Sequence, residues 1–106
     1  MVTQSKIRRL SQRIAREFRP ERVILFGSRA RGRSRGDSDV DLLVVMRYRG
    51  HSARMAAAIL NKLEPEFSVD LIVRTPSELR KRLARQDQVL AAIVRNGKVL
   101  YEAAHA

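Results

Sequence analysis

Two aspartates interrupt an apolar segment in which valine or leucine would be expected. They are Asp39 and Asp41, at the start of DVDLLVV (39–45). In a β-strand residues two apart share a face, which places these two Cα atoms roughly 6.6 Å apart. Two carboxylates this close repel each other, and a divalent cation between them removes the conflict. The spacing therefore predicts a metal site.

A third carboxylate, Asp70, lies in a similar apolar segment, SVDLIV (68–73). If the two segments are neighbouring strands, Asp70 joins the pair. Three oxygen ligands suit Mg²⁺, and a pair of such ions can hold the attacking and leaving oxygens of a phosphoryl transfer. The alternative is that all three acids are strand-edge residues facing water.

A glycine and a serine close the first apolar run, RVILF (22–26), at Gly27 and Ser28. Glycine lets a phosphate approach the backbone, and N–H groups with a serine hydroxyl can donate hydrogen bonds to its oxygens. Arg29 comes next and carries a charge that can neutralise a triphosphate. We therefore predict that Gly27, Ser28 and Arg29 bind a nucleotide.

Positive charge flanks this region. The net charge is +11, yet residues 37–70 hold six acidic against four basic side chains. An acidic centre in a basic chain indicates a site for a cation, although nucleic-acid binding stays open as an alternative. For Arg31, Arg33 and Arg35, phosphate contact and a solvated loop remain equally open.

The periodicity of apolar residues predicts the elements that position these side chains. Helices are predicted at 4–18, 52–63 and 76–96, and strands at 22–26, 40–46, 68–73 and 98–102. Thr75 is the predicted N-cap of the last helix and Gly97 its left-handed C-cap. The order α-β-β-α-β-α-β predicts an α/β (α+β) fold in which helices cover a small mixed sheet. Residues 1–106 are expected to form a single domain.

The chain has no long apolar run, no cysteine and no secretory signal at its N-terminus. We therefore expect no membrane association and a cytoplasmic location.

The spacing of the motif resembles that of a known superfamily. Gly27-Ser28, ten residues and Asp39-Val40-Asp41 match the G-S-x10-D-x-D pattern of the DNA polymerase β-like nucleotidyltransferases. The segment GSRARGRSRGDSDVDLLV is similar to that of the minimal nucleotidyltransferases, the MntA-type antitoxins of HEPN/MNT toxin–antitoxin systems. The resemblance extends to the N-terminal helix, VDLIV and NGKVLYE, and so covers nearly the whole chain.

The resemblance implies a polymerase β-like palm fold that uses Mg²⁺ and ATP. By this resemblance Asp39 and Asp41 bind the metal, Asp70 binds it too and helps to activate the acceptor hydroxyl, and Gly27 and Ser28 hold the phosphates. It also implies a HEPN-type ribonuclease toxin as partner, silenced by transfer of AMP to a tyrosine.

Two other functions remain open. The chain can be an antitoxin that neutralises its partner by binding alone, or it can add nucleotides to an RNA end. Because about 106 residues leave little room for a second, acceptor-binding domain, we expect another protein to present the acceptor.

Overall fold

The computed structural model describes residues 2–32 and 39–104. Within these residues the chain forms helices and strands in the order α1 (Gln4–Phe18), β1 (Arg22–Phe26), β2 (Val40–Val45), α2 (Ser52–Leu63), β3 (Val69–Arg74), α3 (Pro76–Ala84), α4 (Gln88–Asn96) and β4 (Lys98–Glu102). The predicted elements are confirmed, apart from the last helix, which is divided in two.

The strands form one mixed sheet in the order β3-β2-β1-β4. β2 and β3 are parallel, and the other two pairs are antiparallel. Parallel neighbours need a crossover connection, and α2 supplies it between β2 and β3. The α/β fold with a small mixed sheet is therefore confirmed.

Both faces of the sheet carry a hydrophobic cluster. On the first face α1 and α2 contribute Ile7, Leu10, Ile14, Ile59 and Leu63, which pack with Val23, Leu25, Val40, Leu42, Val44 and Val73 of the strands. On the second face α3 and α4 contribute Leu79, Leu90 and Ile93, which pack with Ile24, Leu43 and Val45. The spacing of these residues follows the helical and strand periods that the sequence displays.

The prediction of one helix over residues 76–96 is wrong. Gln86 has a left-handed φ of 61°, and the Asp87 side chain caps a new helix by accepting a hydrogen bond of 3.0 Å from the Leu90 N–H. Aspartate is a favoured N-cap residue, and the periodicity of the leucines on either side concealed this signal at Asp87. The break separates α3, which ends at Ala84, from α4, which begins at Gln88, and α4 contacts β1.

The two predicted caps have different outcomes. Thr75 is confirmed as the N-cap of α3, because its Oγ1 accepts a hydrogen bond of 3.1 Å from the Glu78 N–H. Gly97 is not a left-handed cap, since its φ is −71°. A Cβ at Gly97 would collide with the Ile93 carbonyl and, at 2.5 Å, with Cγ2 of Ile24. Glycine is therefore required there by the close approach of α4 to β1.

None of the helices in the described part of the chain is long and apolar enough to cross a membrane.

Candidate active site

The aspartates of β2 and β3 lie side by side. Asp41 and Asp70 occupy the same register position of the parallel pair, so their backbones are about 4.8 Å apart and their side chains point to the same face. Asp39 comes one residue before β2, and the alternation of the strand directs it to that face as well. The structure therefore places all three predicted metal ligands on the α3/α4 face of the sheet.

The charges of the three carboxylates act on one another. Partial burial raises the pKa of Asp41, and the negative charges of Asp70 and then Asp39 raise it further. Each of these effects disfavours the ionised form of Asp41. A cation beside the cluster would favour the ionised form of Asp41 and so offset the contributions of the two neighbouring charges.

The three aspartates offer the hard oxygen donors that Mg²⁺ prefers. Among residues 2–32 and 39–104, however, no three acidic, histidine or cysteine side chains are arranged so that they could hold a metal ion. Asp39 and Asp70 are exposed, so rotation of these two side chains requires no change in the core. The three aspartates thus suit Mg²⁺, because they are oxygen donors and lie on one face of the sheet. To bind one ion together, the side chains of Asp39 and Asp70 would have to turn toward Asp41.

The turn after β1 lies close to Asp41 at Gly27. Phe26, the last residue of β1, is paired with Asp41 across the antiparallel ladder. Gly27 has a φ of 76°, and a Cβ there would collide with Oδ2 of Asp41. Glycine is required at this position because of the left-handed φ and because there is no space for a Cβ. The predicted phosphate-binding residues Gly27 and Ser28 therefore adjoin the acidic face directly.

Arg29 is buried and does not extend into solvent. It is only 5% exposed, and its Nη1 lies 3.5 Å from the Val2 carbonyl oxygen. This position favours a role in holding the turn against the segment before α1, and nucleotide contact by Arg29 stays a prediction. Nothing in the residue spacing indicated its burial. Arg33 and Arg35 lie outside the described residues.

A cavity of about 670 Å³ opens beside Gly27. One wall is the end of β1 with the turn that follows, and the other is one side of α4. The lining residues are Phe26, Gly27, Ala30, Arg31, Gln88, Val89, Ala92, Ile93, Asn96 and Gly97. We call this cavity the α4 slot. Sequence reasoning missed the contribution of α4 because it treated α3 and α4 as one helix.

A mixed sheet that carries a Gly-Ser turn beside an acidic face is the arrangement expected of a nucleotidyltransferase. Residues 7–98 match the nucleotidyltransferase domain family. The chain belongs to this family, and the fold class predicted from the sequence is confirmed.

Solved structures with this fold include three to which the chain is similar. One, assigned to the nucleotidyltransferases of Sulfolobus solfataricus, is 22% identical, with 92% of this chain and 78% of that chain covered and a TM-score of 0.63. A toxin-antitoxin with AMP-PNP is 24% identical, with coverages of 96% and 75% and a TM-score of 0.55. The toxin-antitoxin MntA-HepT is 19% identical, with coverages of 95% and 74% and a TM-score of 0.54. A comparison with curated protein sequences gives no match.

Proposed function

We propose that this nucleotidyltransferase is an antitoxin that transfers AMP from ATP to a partner protein. The acceptor is a tyrosine of a HEPN-type ribonuclease toxin, and Mg²⁺ is required. The observation that carries the proposal is the position of the Asp41 carboxylate, which fills the space that a side chain at Gly27 would take, next to the register pair of Asp41 and Asp70. A triphosphate held at the turn would have its α-phosphate beside the acidic face.

The similar structures support a toxin as the partner and ATP as the nucleotide. Two of them are toxin–antitoxin assemblies, one of which was solved with the ATP analogue AMP-PNP. The Gly-Ser and Asp-x-Asp residues that the resemblance requires are all present in this chain. These points favour nucleotidyl transfer onto a protein.

The proposed reaction forms one bond and breaks one bond. The acceptor hydroxyl oxygen attacks the α-phosphorus, the bond from that phosphorus to the bridging oxygen of the β-phosphate breaks, and pyrophosphate leaves. The hydroxyl proton passes to the Asp70 carboxylate and from there to solvent. Because Asp70 is exposed, it is accessible both to an acceptor on another protein and to water.

Asp39, Asp41 and Asp70 would hold Mg²⁺ on the shared face. When bound there, Mg²⁺ supplies positive charge that neutralises the triphosphate oxygens and stabilises the developing charge of the leaving group. Gly27 and Ser28 would hold the outer phosphates through backbone N–H groups and the serine hydroxyl. The polypeptide thus orients the triphosphate in line with an acceptor from outside the chain.

The test is transfer of label from α-labelled ATP to the product of the adjacent gene, in the presence of Mg²⁺. We expect label on the partner with the unmodified chain, and a loss of about 10²-fold or more with Asp39→Asn or Asp41→Asn. Asp87→Asn is the matched control, because asparagine also caps a helix. Unlabelled partner with intact ATP, or full activity of either site variant, would contradict the proposal.

The same variants distinguish an antitoxin that acts by AMP transfer from one that acts by binding its partner alone. If the antitoxin acts only by occlusion, Asp41→Asn still inhibits the ribonuclease activity of the partner at equal concentrations. If transfer is required, that variant binds the partner without silencing it. Ribonuclease assays with and without ATP therefore distinguish the two mechanisms.

Nucleotide addition to an RNA end is the second candidate, and the basic surface of α1 favours it. Lys6, Arg8, Arg9 and Arg16 are exposed on this helix. RNA binding through these residues would weaken steeply with salt, because each neutralised phosphate releases counterions. RNA affinity that is absent at low salt would exclude this candidate.

A further inference from the structure

β3 is an edge strand, because β2 is its only neighbour among the strands of the described residues. The carbonyl oxygens of Ser68 and Arg74 each accept a hydrogen bond of 3.0 Å from backbone N–H groups at the two ends of β2. Backbone groups along a strand alternate in direction, so the N–H and C=O groups of Val69, Leu71 and Val73 point away from β2. We call these three residues the β3 edge.

The β3 edge is closed at Val73 and open at its other two residues. The Val73 carbonyl oxygen accepts a hydrogen bond of 3.1 Å from the Tyr48 hydroxyl and one of 2.8 Å from Nη1 of Arg74. Proteins commonly protect an edge strand, because its unpaired N–H and C=O groups can pair with another chain. Within residues 2–32 and 39–104, no group forms a hydrogen bond to the outward groups of Val69 and Leu71. The unprotected part of the β3 edge is therefore the part nearest the acidic face.

Asp70 lies between the two open positions and belongs to the acidic face. A strand that pairs with the β3 edge continues the sheet, so its residue opposite Asp70 lies about 4.8 Å away and points its side chain to the same face. That residue then stands in line with Asp41 and Asp70 across three strands. In the proposed transfer the acceptor hydroxyl must reach the Asp70 carboxylate. Pairing at the β3 edge brings an acceptor side chain there without any movement of the sheet.

The charge beside the β3 edge favours a polypeptide as its occupant. Asp39, Asp41 and Asp70 concentrate negative charge on the adjoining face. A peptide backbone is uncharged, and its alternating donors and acceptors match the outward groups of Val69 and Leu71. An RNA strand would bring phosphates against the carboxylates, and like charges repel. The edge therefore suits an extended segment of an acceptor protein.

We propose that the acceptor protein docks by adding an extended segment to the β3 edge, with its acceptor tyrosine opposite Asp70. This proposal rests on the proposed function, in which Asp70 accepts the hydroxyl proton. Backbone hydrogen bonds at Val69 and Leu71 supply affinity and fix the register, as in other cases of strand addition. The hydrogen bonds that Val73 already accepts end the pairing, so only a short segment is bound.

The direct test is hydrogen exchange of backbone amides, measured by NMR for the full chain alone and with the product of the adjacent gene. We expect exchange at Val69 and Leu71 to slow about tenfold or more in the complex, because their N–H groups then donate to the partner. The control is the amide of Glu102 on β4, the other edge strand, whose exchange should not change. Unchanged exchange at both Val69 and Leu71 in the complex would overturn the proposal.

A proline substitution tests whether the pairing serves the reaction. Val69→Pro removes only an outward N–H, and proline is tolerated at the first residue of an edge strand. We expect the KM for the partner protein to rise about fivefold, the effect of one lost hydrogen bond, with the ATP affinity unchanged. The matched control is Glu102→Pro on β4. The Glu102 N–H also points outward, since the Ala103 N–H donates to the Glu21 carbonyl at 2.8 Å, and this variant should keep both values.

The results distinguish docking at the β3 edge from the proposed function itself. If the unmodified chain transfers no label, the proposed function fails, while slowed exchange at Val69 and Leu71 would still support docking there. If label is transferred and Val69→Pro keeps its KM for the partner, the acceptor segment does not pair at the edge. Exchange at these amides that slows with rising concentration of the chain alone would assign the edge to a second copy and overturn the proposal.

Discussion

On one face of the sheet, α1 and α2 cover the strands with aliphatic side chains; on the other, α3 and α4 leave the ends of β2 and β3 uncovered. Val40, Leu42 and Val44 point to the first face and are completely buried. Asp41 points to the second face, where Leu43 and Val45 continue the core. A single strand thus contributes to the core on one side and to the acidic site on the other.

This difference shows how a small domain can tolerate clustered carboxylates. The acids occupy positions where the helices do not reach, while the fully buried positions of the same strands supply the stability. Hydrophobic burial on the first face offsets the repulsion on the second. The two faces should therefore respond in opposite ways to substitution.

The largest effect is expected on the first face. Leu42→Ala should lower the free energy of unfolding by about 2–5 kcal/mol, since Leu42 is completely buried. Urea denaturation measures the loss. The folded fraction should still bind ATP, and loss of ATP binding without loss of stability would contradict the division between the faces.

Gly27→Ala should act on both stability and binding. Its left-handed φ costs about 1–2 kcal/mol for an alanine, and the new Cβ also collides with the Asp41 carboxylate. Gly32→Ala is the matched control, because Gly32 has a φ of 71° and no neighbour within 4 Å of such a Cβ. We expect the larger loss of stability and the loss of ATP affinity for Gly27→Ala alone. Equal denaturation midpoints for the two variants would refute the close contact.

Asp41→Asn should stabilise the chain when Mg²⁺ and nucleotide are absent. Because burial and neighbouring charges raise the pKa of Asp41, its ionised form opposes folding above that pKa. We expect a gain of about 0.5–2 kcal/mol at neutral pH, as is typical of relieving charge repulsion. The gain should shrink as the pH falls through the raised pKa, because the aspartate is then protonated in the folded state.

The measurement is the difference in melting temperature between Asp41→Asn and the unmodified chain, at neutral pH and at acidic pH. Glu66→Gln, at an exposed position between α2 and β3, is the control and should change stability by less than about 0.5 kcal/mol. A difference that grows toward acidic pH would show that the sign of the pKa shift is wrong.

The smallest effect is expected at the start of α4. Asp87→Ala removes the side chain that accepts the hydrogen bond from the Leu90 N–H and should cost about 1 kcal/mol. Asp87→Asn keeps an N-cap and should cost less. Thermal unfolding monitored by circular dichroism measures both. Equal losses would mean that the cap does not hold α4 in place.

Much of the fold could be predicted because local patterns agree with it. The apolar spacing in α1 and α2 and the short apolar runs of β1 and β2 appear in the structure at nearly the same bounds. The adjacency of Asp41 and Asp70 was expected only on the condition that their two segments are neighbouring strands, and the parallel pairing of β2 and β3 meets that condition. Residue alternation was sufficient to place Asp39 and Asp41 on one face, whereas the order of the strands comes from the structure.

Other features depend on contacts that no local pattern encodes. The burial of Arg29 depends on the path of the segment that contains Val2. The requirement for glycine at position 97 arises from Ile24, which is distant in the sequence. The break at Gln86 and Asp87 was the exception, since the aspartate is a recognisable cap, but the leucine periodicity on both sides favoured a continuous helix.

The pairing of β4 with β1 has a consequence for how the molecule assembles. Arg22 is paired with Glu102, whereas β1, β2 and β3 all lie between residues 22 and 74. Contacts between distant segments form late because closing a long loop carries an entropic cost. We therefore expect the acidic register pair to form early on the ribosome, and the α4 slot to form only after residues 88–102 have been synthesised.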